Sequence, residues 1–205
     1  MGKGSPSGGS LFLWHMIRIQ SGFLKGMSLP FVPDPKTRPT TQKVREALLN
    51  SLGDAVSMRS FADLFAGSGA VGIEAASRGA REVILVEKDR KVALPLEHFL
   101  KTDRRIQKAG IRLIREDVLS FLGKFEGDPF DIVFIDPPYE YPDWEKLLRC
   151  LASSGIVQKM GSIIVLEYFH RDDPSALVRE MFPDYQTKIT PYGESRILFA
   201  RNVNP

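Results

Sequence analysis

A single cysteine, Cys150, and only three histidines, His15, His98 and His170, leave the chain without the makings of an internal disulfide or a metal-ligand cluster. No metal is therefore expected, and Cys150, within a helical pattern, is assigned to packing. No apolar run approaches the ~20 residues that cross a bilayer, and Leu11-Phe12-Leu13-Trp14 is too short for the core of a secretory signal. The expected location is cytoplasmic, with no membrane partner. Internal repeats are lacking, and low complexity is confined to residues 1–15, a Gly- and Ser-rich leader or tag expected to lie outside the fold. What is present is ordinary for a folded protein: 205 residues, 43% hydrophobic and 26% charged, enough for one core with a small appendage. That mixture excludes a disordered chain and a large multidomain assembly.

Charge is small overall, +3, but unevenly placed. Residues 1–59 hold 8 Lys and Arg against 3 Asp and Glu, whereas residues 60–205 hold 20 against 22. With a pI near 9.0, a basic front end is compatible with a polyanionic partner such as nucleic acid, and equally with a solvated surface. Lys25, Lys36, Arg38, Lys43 and Arg45 are the candidates for tracking phosphates; Lys101, Arg104, Arg105 and Lys108 read as a solvated face.

From Ile17 to Val32 short apolar runs are broken by Gly22, Gly26 and Pro30, which suggests a small β-hairpin. A Pro-rich linker, Pro33 to Pro39, leads to Thr40-Thr41, either of which can cap the helix implied by Val44, Ala47, Leu48 and Leu52. Residues 16–53 are thus read as an extension and 54–205 as the main domain. In the latter, strands at Ser60–Leu64, Glu82–Val86, Ile111–Ile114, Phe130–Ile135 and Ser162–Glu167 alternate with helical patterns. This alternation predicts an α/β fold with a doubly wound, Rossmann-like parallel sheet. After a helix near Ser175–Met181, strands Tyr185–Thr190 and Arg196–Ala200 flank Pro191-Tyr192-Gly193-Glu194, so this last pair must be antiparallel.

In Asp63-Leu64-Phe65-Ala66-Gly67-Ser68-Gly69-Ala70-Val71-Gly72 a strand ends in a glycine-rich turn and a helix begins. Absent side chains let backbone approach a ligand, and the helix start offers free N–H groups. Glu87, 20 residues after Gly67, stands where a carboxylate can take both hydroxyls of a ribose. These features alone also suit a nicotinamide enzyme. Asp63 argues otherwise, because an anion at the strand end repels a pyrophosphate and favours a cationic ligand such as S-adenosyl-L-methionine. Asp117 is placed to accept from an adenine amine or to cap the helix starting at Val118, and both roles can hold together. At the end of the fourth strand, Asp136-Pro137-Pro138-Tyr139 combines a carboxylate with a stiff turn whose prolines have no N–H. Its acceptors suit an aromatic amine: holding both N–H bonds out of the ring plane localises the nitrogen lone pair, while Tyr139 stacks on the base.

This order of motifs resembles the class I S-adenosylmethionine-dependent amino-group methyltransferases. More narrowly, Lys25-Gly26, Arg38-Pro39-Thr40-Thr41, Val44-Arg45-Glu46, Asp63 to Ala70 and Ser77-Arg78-Gly79-Ala80 resemble the RsmD family of bacterial 16S rRNA guanine-N2 methyltransferases, over about Met16 to Ala200. The resemblance implies a seven-stranded sheet with the last hairpin inserted antiparallel, and a monomer. It also implies a guanine substrate in 16S rRNA, within an assembled or partly assembled small ribosomal subunit. For the cofactor it implies Gly67 and Gly69 at the methionine part, Glu87 at the ribose and Asp117 at the adenine, with Phe65, Ser68, Lys88 and Val118 beside them. For the substrate it implies Asp136 and the Pro137 carbonyl on the amine, Pro138 in the same turn and Tyr139 on the base. Arg38 and Thr40 are expected near the mouth, and Lys25 and Lys43 on the RNA. Arg196 departs from the small or apolar residue expected at its position. A DNA adenine-N6 methyltransferase and a non-catalytic RNA-binding assembly factor are the competing readings. The first lacks room for a target-recognition domain; the second gives no reason to retain Asp63, Gly67, Gly69, Glu87, Asp136 and Tyr139 together.

Overall fold

The computed structural model describes residues 17–30, 41–138, 141–157 and 160–203. Its front end is the expected hairpin, reduced to two short antiparallel strands, β1 (Ile17–Arg18) and β2 (Ser28–Leu29). Helix α1 (Gln42–Leu52) follows, its first turn capped by Thr41 Oγ1, which accepts from the Val44 N–H at 3.3 Å. Thr40, the other candidate cap, lies outside the described residues, as do Arg38, Tyr139 and residues 1–15. Val44, Leu48, Leu49 and Leu52 bury one face of α1.

The rest of the chain alternates strand and helix: β3 (Ser60–Leu64), α2 (Ala70–Ser77), β4 (Glu82–Val86), α3 (Arg90–Thr102), β5 (Ile111–Ile114), α4 (Val118–Gly123), β6 (Ile132–Ile135), α5 (Trp144–Ser153), β7 (Ile163–Phe169), α6 (Ser175–Met181), β8 (Tyr185–Tyr192) and β9 (Ser195–Asn202). Seven strands form one sheet in the order β5-β4-β3-β6-β7-β9-β8. The first five are parallel; β9 runs antiparallel between β7 and the edge strand β8. Alternate residues of each strand feed two apolar layers. Phe61, Phe134 and Val165 join α1, α2 and α3 on one face, while Leu64, Ile135 and Leu166 join α4, α5 and α6 on the other. A sheet covered on both faces explains why the central strands are largely apolar, β6 without interruption and β3 and β7 broken only by Ser60, Asp63 and Glu167.

Several strand boundaries moved, Ser162–Glu167 becoming Ile163–Phe169 among them, and two of the shifts have a visible cause. The fourth parallel strand begins at Ile132 because Asp131 turns its carboxylate to the Ser60 N–H and hydroxyl, at 2.9 and 3.0 Å. The tail ladder continues to Tyr192 opposite Ser195, which shortens the expected four-residue connection to Gly193-Glu194. Pro191 is tolerated inside β8 because that strand is an edge and owes no N–H to a further neighbour.

The extension is fastened to α2. Arg45, 2% exposed, donates from Nε to Glu74 Oε2 at 2.9 Å and from Nη2 to the Arg18 carbonyl at 2.8 Å. Gly22, at φ +79°, lies against the end of α2 so closely that a Cβ there would sit 1.8 Å from the Ser77 carbonyl oxygen. Ser77 Oγ accepts from the Leu24 N–H at 2.9 Å. The helix that opens with the glycine loop thus carries the hairpin at its other end.

Candidate functional site

Between β3 and β6 the order of strands reverses, and at such a switch point the loops beyond the strand ends part to leave a crevice. A cavity of about 500 Å³ occupies it, within the size range of small-molecule sites. One side is built by the glycine turn. Phe65, at φ +71°, starts the turn with a left-handed backbone that a large side chain rarely adopts. Gly67, at φ +54°, follows, and its N–H donates to Glu87 Oε2 at 2.8 Å. The other Glu87 oxygen accepts from the Asp89 N–H at 2.7 Å, so the carboxylate is fixed by two backbone donors with lone pairs to spare. Gly72 has a different duty: a Cβ there would lie 2.3 Å from Leu85 Cδ2, so its absence lets α2 lie flush on β4.

Asp63 closes the floor. It is 1% exposed, and its Oδ2 accepts from the Gly72 N–H at 2.9 Å. Burial pushes its carboxyl up to about 7; the Gly72 bond opposes the shift and the Glu87 charge adds to it. The sequence-predicted anion thus also anchors the first turn of α2.

The other predicted residues divide. Phe65, Gly67, Ser68, Glu87, Lys88, Val118, Asp136, Pro137 and Pro138 line this one cavity. Gly69 instead packs inward, where a Cβ would meet Leu85, Ile73 and Leu96 at 3.1–3.2 Å. Asp117 caps α4, accepting at Oδ1 from the Leu119 and Ser120 N–H groups, and pairs through Oδ2 with Lys88 Nζ at 3.3 Å; its neighbours Glu116 and Val118 are the wall residues of that turn. Lys25 and Lys43 are exposed on the extension, outside the wall. Arg196 donates to the carbonyls of Gly193 and Ser195, at 2.8 and 3.0 Å, and so holds the tail turn.

Several wall residues had no motif to mark them. Tyr141 stands edge-on to Phe65 (5.6 Å between centroids) and to Trp144 (5.8 Å), giving the wall an aromatic corner. Ile17, Thr41 and Val44 bring the extension to the rim, and Tyr168, Phe169 and Tyr192 to Ser195 bring the tail. Burial, with Asp173 accepting from its hydroxyl, pushes the Tyr168 phenol to about 12. Glu167, 8% exposed, lines the cavity from within β7, two residues before its end. An acid near the end of an apolar strand, as at Asp63 and Asp136, was the available signal for it. In all, the described wall carries eight carboxylates and one lysine.

A family model described as "Conserved hypothetical protein 95" matches residues 17–200. A Buchnera aphidicola protein named "Ribosomal RNA small subunit methyltransferase D" is 36% identical over 174 residues, covering 85% of this chain and 88% of its own. The Bacillus subtilis "Putative rRNA methyltransferase YlbH" is 37% identical over 149 residues, 72% of this chain and 80% of that one. Among solved structures, a "Putative methyltransferase yhhF" from Escherichia coli superposes with a TM-score of 0.76 at 31% identity, covering 93% of this chain and 99% of that one.

Proposed function

The chain belongs to the conserved hypothetical protein 95 family, the RsmD family its motifs resemble, and on that premise we propose that it methylates the exocyclic N2 of a guanine in 16S rRNA, using S-adenosylmethionine. The substrate is an assembled or partly assembled small ribosomal subunit, and the reaction is cytoplasmic. One observation carries the reading. The glycine turn with Glu87 and the Asp136-Pro137-Pro138 turn face a single cavity, so a methyl donor on one side and a base on the other share one space.

The residues fit this cofactor. A ligand with an ammonium and a sulfonium suits a wall where Asp63 is buried and costly to ionise without a nearby cation. Glu87, held rigid by two N–H groups, suits ribose hydroxyls, and Phe65, Val86 and Val118 offer apolar surface for an adenine. When bound, S-adenosylmethionine supplies an electrophilic methyl group on a positively charged sulfur. Asp136 accepts a hydrogen bond from the target amine and aims its lone pair across the cavity. Asp136 would also take the surplus N–H proton of the amine along that hydrogen bond once the nitrogen carries its new substituent. The Pro137 carbonyl and the aromatic corner of Tyr141 and Trp144 restrict the base. Catalysis is chiefly positioning and exclusion of water.

The test is transfer of tritiated methyl to small subunits and to naked 16S rRNA, both from cells lacking the modification, followed by nucleoside analysis. N2-methylguanosine is expected, whereas label in N6-methyladenosine, or none, overturns the reading. Asp136→Ala should bind S-adenosylmethionine normally and lose about 100-fold or more in kcat. Normal turnover by this variant would remove Asp136 from the mechanism.

A further inference from the structure

We propose that Glu167 reads the N1–H of the target guanine beside Asp136 on the N2 amine, making the site selective for guanine over adenine; the inference rests on the reaction assigned above. Strands β6 and β7 run parallel with Ile135 opposite Leu166, so the next step of the register sets Asp136 beside Glu167. Phe134 and Val165 both face the layer of α1 and α2, and the two-residue period returns Asp136 and Glu167 to that same face. Both line the cavity. Neighbouring strands are ~4.8 Å apart, so the geometry points to two carboxylates presented side by side, with Glu167 the longer by one methylene.

Guanine and adenine differ at the atom this pair would meet. Beside its amine guanine carries N1–H, a donor, so its edge presents three N–H bonds in a row. Adenine carries a lone pair at the corresponding N1. Two neighbouring carboxylates attract the first pattern and repel the second, and a buried acceptor facing a lone pair is left unsatisfied. A carboxylate has about four acceptor sites, so a contact of Glu167 within the fold leaves capacity for a base. Its partner across the β7–β9 ladder is Ile197, fully buried, so the ladder seats Glu167 on an apolar neighbour.

The experiment first maps the methylated guanine with the wild-type enzyme, then replaces that nucleotide by 2-aminopurine in a ligated 16S rRNA. 2-Aminopurine keeps the N2 amine and lacks N1–H. Wild-type enzyme should lose about 100-fold in kcat/KM on it. Glu167→Gln, whose amide can donate to the N1 lone pair, should lose activity on guanine and narrow the ratio to about tenfold or less. Equal use of both bases by the wild type overturns the proposal. So does a Glu167→Gln enzyme that slows equally on both, since a merely structural role leaves the ratio fixed. The wild-type ratio needs no variant and keeps the proposal refutable if Glu167→Gln does not fold. A wild-type enzyme that labels no guanine overturns the underlying reaction instead, and is recognised at the mapping step.

Discussion

Replacing Asp63 by Asn should stabilise the ligand-free protein at pH 8 and weaken its hold on a cationic ligand. In the folded chain burial raises the carboxyl from 3.8 to about 7. Between those values the native state holds a proton that the unfolded chain has released. Unfolding therefore becomes easier as pH rises through this window, and above it the full cost of the buried charge is present. At 1.36 kcal/mol per pH unit, the shift corresponds to about 4 kcal/mol. Asn keeps an oxygen for the Gly72 N–H, which Asp63 Oδ2 holds at 2.9 Å, and carries no charge. The stability difference between variant and wild type should thus grow from near zero at pH 4 towards about 4 kcal/mol at pH 8. Even half of that moves Tm by several degrees, at ~2–4 °C per kcal/mol for a chain of this size. Urea unfolding at pH 5 and pH 8, followed by the fluorescence of buried Trp144, reads the difference directly. Parallel pH dependences for the two proteins, or a variant less stable at pH 8, would refute the reasoning. Calorimetry with S-adenosylmethionine should show the opposite sign, with weaker binding by Asp63→Asn, because the anion that costs stability is the one the ligand uses.

Arg45→Met strands Glu74 with only Arg78, 3.3 Å away, and should cost about 3 kcal/mol in urea unfolding; Arg45→Met with Glu74→Leu should recover most of it. Gly22→Ala should destabilise by at least about 2 kcal/mol more than Gly26→Ala, since both have positive φ but only the first would drive a Cβ into the Ser77 carbonyl; equal thermal shifts would contradict the docking of the hairpin. Lys25→Ala combined with Lys43→Ala should raise KM for the small subunit and lower the salt slope of RNA affinity by about 1–2, with S-adenosylmethionine binding unchanged. An unaltered slope would take these lysines off the RNA surface.

The parallel strands were legible because burial on both faces makes them short, largely apolar runs, and an acid follows Val86 and Ile135 and precedes Leu64 at their ends. The helix after Thr41 was legible from spacing and cap. Periodicity required the tail strands to pair with each other; it did not say that β9 would slide between β7 and β8, which came from the family resemblance. Most residues carried by local motifs line the cavity, Gly69 and Asp117 excepted, and the wall residues assembled by register were not anticipated. Asp136 and Glu167 lie 31 residues apart, and the local mark of Glu167, an acid in an apolar strand, does not say which neighbour it meets. Asp117, read as both cap and adenine contact, folds back on the N–H groups of α4, and its neighbour Glu116, not singled out in the sequence, is the acid left to the cavity.

Among the described residues, the wall of eight carboxylates and one lysine also acts as a sieve by charge. A phosphodiester brought near it meets like charge across low-dielectric surroundings, where repulsion is much stronger than in water. An uncharged base escapes this repulsion, and its N–H groups find carboxylate acceptors. For the reaction proposed above, this keeps the sugar–phosphate chain at the rim and requires a single nucleotide to leave its stack to enter. Polyanions such as heparin should accordingly compete with RNA without displacing a ligand held deep in the cavity.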